Sequence, residues 1–516
     1  MLPHWIPYLG HGLSYVLDYA KLIGQARDHS REGIFTLRLL SWKHYVVLTP
    51  SLAKQVFAQR QSVLSTYNLF LRMQELVFGD KGLSAQVPEL EEQYFHNLNV
   101  LMLNSAVMDA SNRTASFVGK TIASLISFAK DPVDQMPWER VSDVRVLDER
   151  QAEGSLFTLV SRWAYCASMP AMFGQAFLDQ CPMAMDDIFL FHAELPYLVT
   201  GLPAPNQKIS EAMQARDRCR EAVRRWFHAH KAVKEGKDPG AGWGDMKDIS
   251  EFAKLQHRLM DDGGAPEEVV CANLLGFLIL QHTNANLIAF WVLIHVYADP
   301  HLLQDIRAEV SPYISKLDEP ASDTPSKSHY SIDHTSLSRL CPLIKATWLE
   351  TMRVDVFGAV FKTIVKDFTI TESAADAALF GRSDPRSYTL KAGGMVVIDN
   401  KASHSDPRLW QNPEQFDPSR FIIRDPLDGG KKKAVFTDQL YSFGGGHSMC
   451  KGRTFAEREL LTFVAAIVTF WDIEYAGPKN EDGSWKVVKG TLAGSPHPRP
   501  DIRVKMSRRD PKLNAL

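Results

Sequence analysis

The sequence predicts a mainly α protein, a large helical domain carrying small β-sheets. Apolar residues recur at helical spacing through most of the chain from about 51 to 355. Short alternating stretches lie outside that region, near both ends. No Pro/Gly/Ser-rich linker separates two independently patterned halves, so one domain over residues 1–516 is expected.

The elements follow in order. Ile34, Phe35, Leu37 and Leu39, then Tyr45 to Leu48, predict an early hairpin. The most apolar helix runs from about Glu267 to Ala298. Gln281, His282, Thr283, Asn284 and Asn286 cluster in its middle, where lipid would penalise them, so it reads as a buried helix and not a membrane span. Residues 318–337, rich in Ser, Asp, His and Pro, read as a surface loop. Lys391 to Asn400 and Ile502 to Met506 read as short strands, and Gly429 to Lys433 as a solvated turn. A last long helix, 453–471, carries Ala456, Leu460, Phe463, Val464, Ile467, Val468 and Trp471 at helical spacing.

Composition narrows the function. Apolar residues make up 45% of the chain and include 27 phenylalanines, enough for a large core. The 58 basic and 60 acidic residues leave a net charge of −2, which argues against a nucleic-acid partner. Six cysteines, at 166, 181, 219, 271, 341 and 450, form no C-x-x-C pair. That scatter indicates neither a disulfide framework nor a zinc site.

The most informative stretch is Phe443-Gly-Gly-Gly-His-Ser-Met-Cys-Lys-Gly-Arg453, a cysteine in a glycine-rich loop directly before a helix. Glycines let the chain lie flat against a planar ligand. The positive end of the following helix favours a thiolate at Cys450. A dinucleotide fingerprint fails because Met449 stands where its last glycine is needed. A phosphate loop fails because the segment ends Lys451-Gly452-Arg453.

These residues resemble the heme-binding signature of the cytochromes P450, F-x-x-G-x-R/H-x-C-x-G, with Phe443, Gly446, Cys450 and Gly452 in register. The resemblance implies the P450 fold, heme b (iron protoporphyrin IX) as cofactor and Cys450 as its axial thiolate. Chain order agrees with the family: Glu350-Thr-Met-Arg353, then Arg420 in Phe416-Asp-Pro-Ser-Arg420-Phe421, then Cys450. Glu350 and Arg353 share a helix face, and the resemblance implies that Arg420 completes their fork. Glu221-Ala-Val-Arg224 matches the same pattern and reads as a solvated helix face. Ser403-His-Ser-Asp-Pro407 is similar to the family's strand-to-loop connection. The basic residue two before the cysteine, which pairs with a heme propionate in the family, is Ser448 here; His447, one place earlier, is the candidate for that role. Near Phe95-His-Asn97 the family's W-x-x-x-R pair is also missing.

In most of the family an acid–threonine pair on the long helix handles protons for dioxygen. Counting back from Trp291, the acid position falls on Thr283 and the threonine position on Asn284. Asparagine here resembles the branch that holds sterol 7-alpha-hydroxylases and prostacyclin synthase, as does the segment Phe191 to Pro203. Thr283 and Asn284 are therefore the candidate catalytic positions. The resemblance implies a monooxygenase acting on a bulky lipophilic substrate, with electrons from NADPH through NADPH-cytochrome P450 reductase. A heme-thiolate isomerase or dehydratase that needs no external electrons is the alternative, and a heme sensor without turnover a third reading. Pocket segments are expected at 65–85, 191–205, mid-helix 267–298, 354–360 and 491–495. Lys451, Arg453 and Arg458 are candidates for a docking patch. Residues 1–12 resemble the proline-rich hinge that follows the membrane anchor in relatives. The expectation is a peripheral protein on the cytosolic face of the endoplasmic reticulum, without a transmembrane anchor in this sequence.

Overall fold

A computed structural model describes residues 10–39, 42–99, 104–199, 201, 206–317, 329–356, 358–490 and 496–511. The opening hinge-like residues 1–9 and the pocket residues 200, 202–205, 357 and 491–495 lie outside them.

The early hairpin forms as β1 (Ile34–Leu39) and β2 (Trp42–Val47), with Ile34 opposite Val47. It belongs to a five-stranded sheet. The helix α1 (Pro50–Ala58) starts with proline at its first position, where a missing N–H costs nothing. Beyond it lie β3 (Leu64–Ser65), β4 (Ala359–Ile364) and β5 (Met395–Asp399), giving the order β1-β2-β5-β4-β3. β5 pairs parallel to β2, with Met395 opposite His44, and antiparallel to β4. A second sheet joins Arg145–Val146, Gln151–Ser155, Trp471–Tyr475 and Arg503–Arg508. Its two strands near residue 150 fall inside the stretch expected to be helical; they are short and polar, so no apolar alternation marks them.

The core is helical. α2 (Asn104–Thr121), α3 (Leu156–Phe173), α5 (Ala285–Ala298), α6 (Pro342–Asp355) and α7 (Arg453–Phe470) pack on one another around fully buried Trp163, Trp348, Phe290 and Phe463. Each such side chain contributes roughly 1.5–3 kcal/mol through burial. Buried indoles also find acceptors: Trp471 Nε1 donates to Ile122 O at 2.9 Å.

The expected helix over 267–298 is two helices. α4 (Glu267–His282) ends just before Thr283, and α5 begins after Asn284, whose φ of −116° and ψ of −73° lie off helical values. Thr283 Oγ1 donates to Ile279 O at 2.8 Å and Asn284 Nδ2 to Leu280 O at 3.1 Å. Both side chains bond back to carbonyls four residues earlier, a pattern that bends helices. The whole Glu267–Ala298 stretch is long and apolar enough to cross a membrane, yet 89% of its most apolar window is buried inside the protein.

The expected loop over 318–337 is partly ordered structure. Its residues 318–328 are outside the described set, but Tyr330–Ile332 is a strand and His334–Leu340 a helix. Asp333 starts that helix by accepting from the N–H groups of Thr335 and Ser336. Gly429 and Gly430 turn a hairpin between Ile422–Asp425 and Lys431–Ala434, with the lysines exposed.

Candidate active site

Residues 443–453 form a tight loop stitched to itself. Cys450 N donates to Phe443 O at 2.9 Å, and Gly444 N to Tyr441 O at 2.7 Å. Phe443 meets the rings of Trp348 and Phe436 edge-on, 5.8 Å from each, which pins the start of the loop to α6. Gly446 has a φ of +58°, and a Cβ there would lie 2.1 Å from Phe57 O on α1. Only glycine fits that approach.

Cys450 is exposed to accessible space while protein encloses it on most sides. Burial pushes its thiol up. The backbone N–H groups of Gly452 and Arg453 and the charges of Arg453 and Lys451 pull the other way. Those N–H groups are the unpaired donors at the start of α7. His447 is exposed, and Ser448 Oγ is buried without a partner. Arg453 donates to Cys450 O at 3.0 Å. Arg458 reaches Met108 Sδ, so of the three docking-patch candidates it is committed to internal packing.

Behind the loop, Glu350 and Arg353 form a fully buried fork with both N···O distances 2.7 Å. Arg420 Nε adds a third contact to Glu350 Oε1 at 3.3 Å. Arg353 also donates to the carbonyls of His404 at 2.9 Å, Pro413 at 2.8 Å and Gln415 at 3.2 Å. Arg420 holds Gln411 O at 2.6 Å and Asn412 O at 2.9 Å. The three residues thus fasten α6 to the irregular segment that leads to Cys450. The second Glu-x-x-Arg copy pairs Glu221 with Arg224 on a partly exposed face.

Two participants escaped the sequence reading. His404 Nε2 accepts the N–H of Tyr441 at 3.2 Å while its own carbonyl accepts Arg353, so one residue links the fork to the cysteine loop. Burial, with the Arg353 charge nearby, holds its imidazole at about 3, which keeps it a neutral acceptor. It stands in the Ser403-His-Ser-Asp-Pro407 stretch, the only signal for it. The second is Lys362 on β4, 3% exposed, with its ammonium 5.9 Å from the centre of the Phe57 ring. No carboxylate among the described residues pairs with it. Burial lowers its pKa. Alternation along β4 gave no hint that its side chain turns inward.

On the long helix pair, only Leu280 and Asn284 are exposed between Val269 and Ile294. They lie one turn apart and mark a single opening in an otherwise buried surface. Thr283 is buried and folded back on its own helix. His282 and Asn286 are buried with both polar side-chain atoms unpartnered. Unpaired buried polar groups are costly, and their concentration at the break identifies it as a place built for polar occupants.

These residues fit heme. Glycines 444–446 carry no Cβ into the way of a flat ligand, the sulfur lies at the start of α7 where backbone N–H groups lower its pKa, and a buried ammonium without a carboxylate stands beside the same loop. A model of the family described as cytochrome P450 matches residues 281–494, which span the helix break, the Glu350–Arg353 fork and the cysteine loop. Over residues 281–494 this chain is a cytochrome P450 by family match.

A cytochrome P450 monooxygenase of Hormonema carpetanum (efuG) is 23% identical, over 92% of this chain and 84% of its own length. The 25-hydroxycholesterol 7-alpha-hydroxylase of Rattus norvegicus is 23% identical over 57% of this chain and 64% of its own. The prostacyclin synthase of the same species is 24% identical over 47% and 46%. This P450 is therefore a heme-thiolate monooxygenase with likeness to the 7-alpha-hydroxylase and prostacyclin synthase branch. P450 enzymes use redox partners and lipophilic substrates.

Proposed function

We propose that this P450 inserts one oxygen atom of dioxygen into a bulky lipophilic substrate of terpenoid, steroid or related skeleton. Electrons come from NADPH through a reductase. The observation that carries the reading is the Cys450 loop, which sets an accessible sulfur at the start of α7 behind a glycine turn packed on α1. When bound, heme would supply the oxygen-activating chemistry, which a cysteine thiolate ligand would favour. Cys450 would hold the iron, and the backbone N–H groups of Gly452 and Arg453 would favour its thiolate form. Glu350, Arg353 and Arg420 hold the loop's approach segment in place. The sterol hydroxylase among the relatives supports a rigid polycyclic substrate. One hydrophobic cluster from Val77 to Met506 supports a single catalytic domain. The protein works as a peripheral protein at the cytosolic face of the endoplasmic reticulum, a placement supported by the lipophilicity of such substrates.

The decisive experiment incubates the purified protein with a panel of terpenoids and steroids, with and without reductase and NADPH. Products that require both components support oxygen insertion. Product formed without them would replace this reading with isomerisation or dehydration of a preoxidised substrate.

Asn284 is exposed at the helix break and can both donate and accept a hydrogen bond, but its amide carries no hydroxyl. Asn284→Thr is expected to change the fraction of NADPH electrons recovered in product by about two- to tenfold, less than the roughly 10²–10⁴-fold of a full general acid–base contribution. Equal coupling in the two proteins, measured as product against peroxide, would remove Asn284 from oxygen handling. Lys362 is the proposed partner of a heme propionate, with exposed His447 as a second. Lys362→Met is expected to weaken heme retention by about tenfold, the scale of one charge-assisted hydrogen bond. Heme transfer to apomyoglobin measures it.

A further inference from the structure

Asp355 ends α6 and is buried, yet a lysine and a histidine from distant elements converge on it. His295 Nε2 on α5 lies 2.7 Å from Asp355 Oδ2, and Lys489 Nζ lies 2.6 Å from Oδ1. Burial pushes the carboxyl up, but Lys489 and His295 outweigh it and hold the group at about 2, so it is ionised at neutral pH. A buried carboxylate held by an ammonium on one oxygen and an imidazole on the other ties whatever carries them, because losing the ammonium leaves charge stranded in a poorly solvated place.

What it ties is specific. The His295 ring stacks on Phe416 at 3.8 Å and 10°, and the next residue, Asp417, donates its N–H to Glu350 Oε1 at 2.9 Å. Lys489 also sits 5.5 Å over the Trp291 ring, and Trp291 Nε1 donates to Pro496 O at 2.8 Å. Lys489 and Pro496 belong to the two legs of one hairpin stem, joined by Gly490 N to His497 O at 2.7 Å and Arg499 N to Val488 O at 2.8 Å. One carboxylate therefore joins α5, the end of α6, the hairpin stem and the segment that carries Arg420.

α5 packs on α6 and on α7, the helix that follows Cys450. α5 starts at the break where Asn284 opens. α6 leads through Val356 into β4, and Val360 Cγ2 lies 3.6 Å from where a Cβ on Gly444 would stand. A shift at Asp355 thus moves the long helix pair relative to the cysteine loop. We infer that the Asp355–Lys489–His295 clamp is a positioning device. It sets the separation between the α4–α5 break and the Cys450 loop, and with it the size of ligand admitted above the iron. The inference rests on the reading that Cys450 binds heme.

Lys489→Met is the test, because it keeps the apolar stem over Trp291 and removes only the charge. Its side chain is 28% exposed, which makes it a milder change than one at buried Asp355. The heme-loaded protein is titrated with imidazole and with 4-phenylimidazole, followed by the Soret shift. Affinity for 4-phenylimidazole is expected to change by about tenfold and that for imidazole by less than about twofold. Lys489→Arg is expected to restore the wild-type ratio. Equal changes for both azoles, or none, would overturn the inference. Backbone hydrogen exchange in the heme-free protein gives a second readout: residues 285–298, 488–490 and 496–499 are expected to exchange faster in Lys489→Met. Unchanged exchange would overturn the clamp even if neither azole bound, a failure that counts separately against heme ligation by Cys450.

Discussion

Cys450→Ala is expected to abolish the thiolate-type spectrum of the reduced carbon monoxide complex and all NADPH-dependent product formation. Alanine offers no donor to iron, and no other sulfur can substitute. Cys166, Cys181, Cys219, Cys271 and Cys341 are all buried, and burial drives each of the first five thiols up to about 11 or beyond. The glycine loop should survive, because its internal hydrogen bonds use backbone atoms that alanine keeps. The variant should therefore fold and differ from wild type chiefly in its spectrum. An unchanged thiolate spectrum would show that another group ligates the iron.

Arg353→Ala is expected to remove most of the folded, heme-loaded protein. The substitution strands Glu350, which has no solvent exposure, and withdraws donors from the carbonyls of His404, Pro413 and Gln415. Breaking a buried pair by deleting one partner costs about 3–5 kcal/mol. That is a large share of the 5–15 kcal/mol by which a native protein is stable. Arg353→Lys is expected to recover little, since one ammonium cannot make a two-pronged contact and reach three carbonyls at once. Heme content per chain and thermal denaturation measure both variants. A wild-type melting temperature in Arg353→Ala would show the fork to be dispensable.

The difference between what could and could not be read from the sequence follows from range. Glu350 and Arg353 are three residues apart on one helix, and the cysteine loop is continuous, so local spacing reveals both. Arg420 was reachable only through chain order, because nothing local says that it turns back to Glu350. The break at Thr283 and Asn284 stayed hidden because apolar residues continue at helical spacing on both sides. His404 owes its role to Tyr441, 37 residues away, and to Arg353, 51 away; Asp355 owes its role to His295, 60 away, and Lys362 to burial. Patterns of one or two turns carry no information at that distance. The Asp333 cap was different in kind: its signal was local, but the surrounding polar composition outweighed it.

The parallel pairing of β2 with β5 has a consequence for how the chain is made. His44 and Met395 are neighbours in space although about 350 residues separate them. Closing so long a loop is slow, because its entropy must be lost before any contact repays it. During synthesis the first hairpin leaves the ribosome with β2's outer edge bare, and its strand partner emerges only after more than three quarters of the protein has been translated. Cys450 follows later still. The nascent chain therefore spends most of its synthesis with an open sheet edge and no means of gripping its cofactor, and heme capture belongs to the last stage of folding.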